Sequence, residues 1–196
     1  MARKCKFDRD KVLESAMGVF WEEGYCKTSM SKLVDATHLN PGSIYAAFKS
    51  KEGLFSSSLD RYGRRSLEQL QQCLDQAATP LQGIKAFLRQ LVDEIVDDRK
   101  RCGCLLVNTA LEMSPHSTPI RQQVNKQLEA IESLMLDALR SAQKSGELSR
   151  RHEPTVLAKY IMVNIWGLRV LGQTTKDKII IQACLDMLLS LFSEDC

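Results

Sequence analysis

The chain reads as an all-α protein of about nine helices. Apolar residues recur at three- and four-residue intervals along nearly its whole length, and alternating strand-type runs are essentially absent. Helix starts are also marked repeatedly. Thr79-Pro80, Thr118-Pro119 and Glu153-Pro154 each pair a capping residue with proline at the first helical position, where its missing N–H costs nothing. With 44% hydrophobic residues, the 196-residue chain can bury a core without metal or disulfide staples.

The first helix is predicted to start at the N-cap Asp8, with Phe7 and Val12 placed for a hydrophobic staple. Val12, Leu13, Ala16, Met17, Val19 and Phe20 make one apolar stripe that ends at Gly24. Two short helices follow, near Ser29–Thr37 and Pro41–Phe48, and a longer one runs from after Ser50 to about Asp75. Thr79-Pro80 opens a helix to about Asp97, and Gly103–Met113 is a short apolar helix closed by Ser114-Pro115. Thr118-Pro119 opens one to near Gly146, with Val124, Leu128, Ile131, Met135 and Ala138 on one face. Glu153-Pro154 opens one to Gly172, and the last helix follows Thr175 and ends near Phe192.

Charge divides the chain. Residues 1–65 carry 12 Lys+Arg against 8 Asp+Glu, and the remaining 131 carry 15 against 16, so the excess positive charge lies in the first third, where a polyanion would dock. The basic N-terminus MARKCKFDRD is followed by no apolar stretch, so no secretory signal is expected. No run approaches the roughly 18 apolar residues of a membrane span. The seven cysteines show no framework spacing, which predicts reduced thiols in a cytoplasmic protein without a membrane partner. No phosphate loop, G-x-G-x-x-G, H-E-x-x-H or G-x-S-x-G occurs, so no catalytic residue is nominated and an enzyme is not expected. His38, His116 and His152 are scattered among the cysteines without ligand spacing, so no metal and no cofactor are expected.

Residues Thr28–Glu52, TSMSKLVDATHLNPGSIYAAFKSKE, have the mechanics of a helix-turn-helix. The first short helix buries Met30, Leu33 and Val34. Asn40 caps the second, Pro41 takes its first position, and Gly42 and Ser43 keep its leading end slim. A recognition helix puts that end on base edges in a groove about 12 Å wide, so small and polar residues suit it. Ile44 and Phe48, four apart, anchor the other face. The pattern alone is equally that of a tight helical hairpin in an ordinary bundle.

From Phe7 to about Leu59 the sequence resembles the DNA-binding domain of TetR-family transcriptional regulators. The likeness rests on the first-helix pattern, Gly24-Tyr25, Thr28-Ser29, and above all Gly42-Ser43-Ile44-Tyr45 followed by Phe48-Lys49-Ser50-Lys51-Glu52. It implies a DNA-binding domain over residues 6–66, with its motif at about 29–48, and a ligand-sensing, dimerising C-terminal domain over 67–196. Thr28 and Ser29 would contact phosphate through hydroxyls and amides. Pro41, Gly42 and Ser43 would face bases, and Ala46 a base or thymine methyl. Tyr45 would reach the DNA backbone, Lys51 would hold a phosphate, and Arg3, Lys4 and Lys6 would add tail contacts, with Asn40 and Lys49 also nominated for the DNA-binding surface. Two departures stand out. His38 occupies the turn where the family usually has glycine, and the second short helix has no Arg, Lys, Gln or Asn before Lys49, so specificity leans on Ser43, Tyr45, methyl contacts and DNA shape.

In the C-terminal part the last two helices are apolar nearly all round, which predicts a second buried face and a homodimer. Tyr160, Asn164, Gly167, Leu168, Leu171, Ile181, Leu185 and Leu188 are nominated for that interface. The stretch Cys104–His116, CLLVNTALEMSPH, resembles C-terminal domains of one branch of the family. The family's pockets lie among the fifth to eighth helices, which nominates Phe87, Cys104, Asn108, Met113, Met135, Tyr160 and Trp166 as contacts of a small-molecule effector. An aromatic or Met stripe at that spacing is also what plain core looks like. Cys102-Gly103-Cys104 follows Arg99-Lys100-Arg101, where cations and a helix N-terminus favour a reactive thiolate, so a redox or electrophile switch is an alternative. The expected protein is thus a repressor of a pseudo-palindromic, double-stranded operator, released by a small-molecule effector. A helical interaction module without DNA binding is the other alternative.

Overall fold

In a computed structural model, which describes residues 7–175 and 177–192, the described residues form nine helices: α1 Arg9–Lys27, α2 Met30–Thr37, α3 Pro41–Phe48, α4 Lys51–Gln76, α5 Pro80–Asp97, α6 Leu105–Glu112, α7 Thr118–Ser145, α8 Pro154–Thr174 and α9 Lys178–Ser190. Each boundary falls within a few residues of its sequence-based position. The N-caps are the reason: Asp8, Ser29, Asn40, Thr79, Glu153 and Asp177 accept the first free amides of α1, α2, α3, α5, α8 and α9 through their side chains. At α7 the predicted cap is displaced. Thr118 is the first helical residue, and Ser117 receives the Ile120 amide at 3.4 Å, so Pro119 occupies the second helical position.

The chain divides into two compact units. Among the described residues, one comprises 7–64 with Leu105–Gln127, and the other Arg65–Cys104 with 128–175 and 177–192. The first unit is built on α1. Val12, Leu13, Ala16, Met17 and Phe20 are buried, together with Leu33, Ile44, Phe48, Leu54 and Phe55. The Phe20 ring meets Phe55 edge-on at 4.9 Å between centroids. Met30 and Val34, expected inside with Leu33, are half-buried, and Thr37 is buried in their place. This unit also takes in α6 and the start of α7, held by polar contacts that no local pattern announces. The Gln123 and Gln127 amides donate to Asp60 at 2.8 and 2.9 Å.

The second unit packs Leu81, Ile84, Leu88, Leu91, Val92 and Ile95 of α5 with buried faces of α8 and α9. One polar chain crosses it. Arg169 donates to Glu94 at 2.9 Å, and Gln69 donates to the other Glu94 oxygen at 2.8 Å. No helix among the described residues is long and apolar enough to cross a membrane.

Candidate nucleic-acid interface

Positions 38–40 set how α3 is presented. His38 adopts φ 56° and ψ 24°, the left-handed conformation, and its amide closes α2 by donating to Val34 O at 2.8 Å. This turn accepts histidine where glycine is freer. Asn40 then caps α3 by accepting the Ser43 amide at 2.8 Å, and Ile44 and Phe48 pin the helix inward, both almost fully buried. The opposite side of the motif lies in solvent: Ser29, Asn40, Pro41, Gly42, Tyr45, Ala46 and Lys49 are exposed, and Ser43 is half-buried. Small residues at the leading end and an aromatic hydroxyl one turn further on form a narrow, polar-tipped edge that fits a major groove. Arg3, Lys4 and Lys6 lie outside the described residues.

Two nominated residues do something other than expected. Thr28 is 1% exposed and is the C-cap of α1; its hydroxyl donates to Gly24 O at 2.6 Å, so it is not available to a phosphate in this conformation. The α2 N-terminus is presented by Ser29 alone. Lys51 is half-buried, and its ammonium donates to Tyr25 O at 2.6 Å while lying 4.2 Å from the centre of the Tyr25 ring. Its charge holds the entry to the motif together.

A residue that the sequence did not nominate completes that arrangement. At Gly24 (φ 79°, ψ 169°) α1 breaks its helical path, which frees the next two amides. Glu112, at the end of α6, accepts both: Tyr25 N–H at 3.0 Å and Cys26 N–H at 2.8 Å. The φ of 79° favours glycine at this position, and a Cβ there would stand 2.8 Å from the Glu112 carboxylate. Hydrogen bonding to Glu112 pushes the Cys26 thiol above its ordinary range, against the pull of Lys51. Burial, with Glu52 adding to it, pushes the Tyr25 phenol up. The two partners are 87 and 86 residues away in the chain, beyond any spacing rule.

The net positive charge of this region also resolves into used and available cations. Arg61 is tied to Asp10 and Glu14 at 3.0 and 2.8 Å, and Lys32 to Glu23 at 2.6 Å. Lys49, beyond the end of α3, and Lys27, at the end of α1 beside the Thr28-Ser29 junction, are exposed and make no ion pair among the described residues.

In the other unit the expected interface needs correcting. Leu168, Ile181, Leu185 and Leu188 are 5% exposed or less and serve the chain's own core, and Leu171 is half-buried. The exposed apolar residues are a different stripe: Val156, Tyr160, Val163, Gly167 and Val170 on α8, spaced four and three apart, with Ile180, Cys184 and Met187 on α9. Both helices carry two apolar stripes, and the sequence did not say which one faces inward. Tyr160 and Gly167 stay on the outer face, where a Cβ on Gly167 meets nothing within 4 Å. Asn164 donates to Tyr160 O at 2.8 Å.

The nominated effector contacts fall in both units, Asn108 and Met113 in the first and Phe87, Cys104, Met135, Tyr160 and Trp166 in the second. Phe87, Met113 and Met135 are buried, Tyr160 is exposed, and Cys104, Asn108 and Trp166 are half-buried. Cys102 and Cys104 are half-buried, and neither is in a disulfide. The carboxylate of Asp98 accepts the Arg101 and Cys102 amides at 2.9 and 2.7 Å, which sets a negative charge against the basic run that was expected to activate these cysteines.

An all-α chain whose helix-turn-helix shows a slim, polar-tipped edge has the build of a DNA-binding protein, and its relatives say which group. Residues 12–57 match the family described as bacterial regulatory proteins, tetR family, and residues 80–188 match the tetracyclin repressor-like C-terminal domain. The chain belongs to the TetR family and is a DNA-binding transcriptional regulator. It is 29% identical over 165 residues to the HTH-type transcriptional repressor ComR of Escherichia coli (strain K12), covering 84% of this chain and 79% of ComR. It is 26% identical over 192 residues to the HTH-type transcriptional regulator YezE of Bacillus subtilis (strain 168), covering 97% and 99%. A double-cysteine variant of the TetR-family regulator CifR, solved with 26-base-pair operator DNA, superposes with a TM-score of 0.82 at 30% identity, over 97% of this chain and 100% of that one.

Proposed function

We propose that the protein is a homodimeric repressor that reads a pseudo-palindromic operator through α3 and leaves it when a small-molecule effector binds the C-terminal unit. The observation that carries the reading is the exposed edge Asn40–Ala46, slim at its leading end and backed by buried Ile44 and Phe48. Ser43 and Tyr45 supply hydrogen-bonding groups there, Ala46 a methyl contact, and the Ser29 end of α2 with Lys27 and Lys49 the phosphate contacts. The outer stripes of α8 and α9 support a two-fold dimer, because an exposed apolar stripe of this length is uncommon on a lone protomer. Two copies of α3 then require a two-fold related site. The names of ComR, a repressor, and of CifR, solved on operator DNA, agree with this reading. Release needs only a difference in the effector's affinity for the bound and free states, and a few kcal/mol suffices.

The test is selection from a randomised duplex pool, followed by fluorescence anisotropy on the enriched sequence over a salt series. A pseudo-palindrome should emerge, with affinity falling steeply as salt rises and about tenfold or more lost in Tyr45→Ala. An unenriched pool, with Tyr45→Ala binding DNA as the parent does, would leave only the interaction-module reading.

A further inference from the structure

The C-terminal unit contains a cavity of about 470 Å³ at the end of α5, the turn that precedes α6, the end of α8 and the start of α9. This is within the roughly 300–1,000 Å³ of ordinary small-molecule sites. None of the seven residues nominated from the sequence as effector contacts lines it. Its walls are of two kinds. Ile95, Val96 and Ile181 supply apolar surface, the two isoleucines from the core. Arg99, Arg101 and Lys178 supply three cations, and Asp98 the one carboxylate.

The charges do not cancel within the site. Asp98 spends its oxygens on its own turn, accepting the amides of Lys100, Arg101, Cys102 and Gly103 at 3.1, 2.9, 2.7 and 3.4 Å. Among the described residues, Arg99, Arg101 and Lys178 make no ion pair. Arg101 is held at φ 54°, a conformation that non-glycine residues rarely take, with its amide tied to both the carbonyl and the carboxylate of Asp98. A strained backbone position that fixes an arginine beside an apolar cleft, with like charges on either side, is an arrangement that a bound anion would stabilise.

We propose that this cavity binds an amphipathic organic anion, with its carboxylate among Arg99, Arg101 and Lys178 and its apolar part against Ile95, Val96 and Ile181. A small inorganic anion would leave the apolar wall empty, and a neutral apolar molecule would leave three cations unpaired. The inference deepens the effector reading above and rests on it only for the link to operator release.

Isothermal titration of the full-length protein with decanoate, decanol, decylamine and inorganic phosphate tests it. Decanoate should bind once per protomer, at least about tenfold more tightly than decanol or phosphate, with decylamine silent. Arg101→Gln combined with Lys178→Gln should weaken decanoate about tenfold or more while circular dichroism stays unchanged. Equal binding of decanol, equal binding of phosphate, no binding of decanoate, or an affinity unmoved by the charge substitutions would each overturn the proposal. Operator anisotropy on the same samples separates the two readings. Decanoate that binds through the basic rim without weakening operator binding supports the site and refutes the release mechanism. Failure of the unliganded protein to bind any operator refutes the repressor reading alone.

Discussion

The helix-turn-helix and the α8–α9 pair are both pairs of successive helices with exposed faces, yet the faces are opposite in kind. The first exposes proline, glycine, alanine and tyrosine beside Lys49, while its polar side chains at Thr28 and Lys51 are consumed holding the local backbone. The second exposes valines, isoleucines and a methionine in stripes, with Val156 at 66% and Met187 at 75%. One face is small and fixed, and suits a charged, hydrated groove. The other is large and apolar, and suits a copy of itself. Interaction chemistry is thus divided along the chain: shape and hydrogen bonding at the N-terminal end, hydrophobic burial at the C-terminal end.

A charge placed in the α8 stripe should break this contrast most severely. Val163→Asp adds a carboxylate to a position that is 52% exposed in the protomer but buried in the proposed dimer. We expect sedimentation to show a monomer of intact helicity and operator affinity to fall by about a hundredfold, roughly 3 kcal/mol. A stable Val163→Asp dimer would place the interface elsewhere.

The head offers a substitution in which stability and affinity part company. Lys49 has φ 69° and ψ −38°, a costly conformation for a lysine. Lys49→Gly should raise the unfolding free energy by about 1 kcal/mol. The same change should lower operator affinity several-fold and reduce the salt slope by about one. Stability and affinity moving in the same direction would show that Lys49 serves the fold and not the DNA.

Thr28→Val separates a structural hydroxyl from a phosphate contact. With its hydroxyl donated to Gly24 O, we expect about 1 kcal/mol lost from thermal unfolding and unchanged operator affinity. An affinity loss at constant melting temperature would restore the phosphate role.

The smallest effect concerns Glu112. Because the Cys26 thiol is raised in the folded state, its contribution to stability is complete below the ordinary thiol range and declines as pH climbs through and above that range. Glu112→Gln removes the carboxylate charge, so the pH profile of Cys26 alkylation should move to lower pH and the alkaline loss of stability should become shallower. An unmoved alkylation profile would mean that Glu112 does not control this thiol.

What could be read in advance followed short-range physics. Caps, prolines at first helical positions and three-to-four periodicity act within one or two turns, so Asp8, Asn40, Thr79 and Glu153 announced their helices correctly. His38 was legible through the resemblance, since it stands in the turn where the family usually has glycine, and it adopts the left-handed conformation there. The α8 and α9 stripes were legible as apolar but not as inner or outer, because a helix with two apolar faces satisfies either assignment until its neighbours are in place. Leu185 and Met187, two residues apart, illustrate the ambiguity: the first is fully buried and the second is 75% exposed.

The sequence alone determined the helices, their order, and the small polar edge of α3 with Ile44 and Phe48 behind it, since each depends on neighbours within a few residues. Only the tertiary structure decided which polar groups remained free. It closed Thr28 onto Gly24, turned Lys51 inward to Tyr25, and brought Glu112 across 86 residues to the Cys26 amide. It also turned the carboxylate of Asp98 onto its own turn and left Arg99 and Arg101 without an ion pair among the described residues. A hydrogen bond or ion pair depends on distance in space and on competing partners, and sequence separation specifies neither.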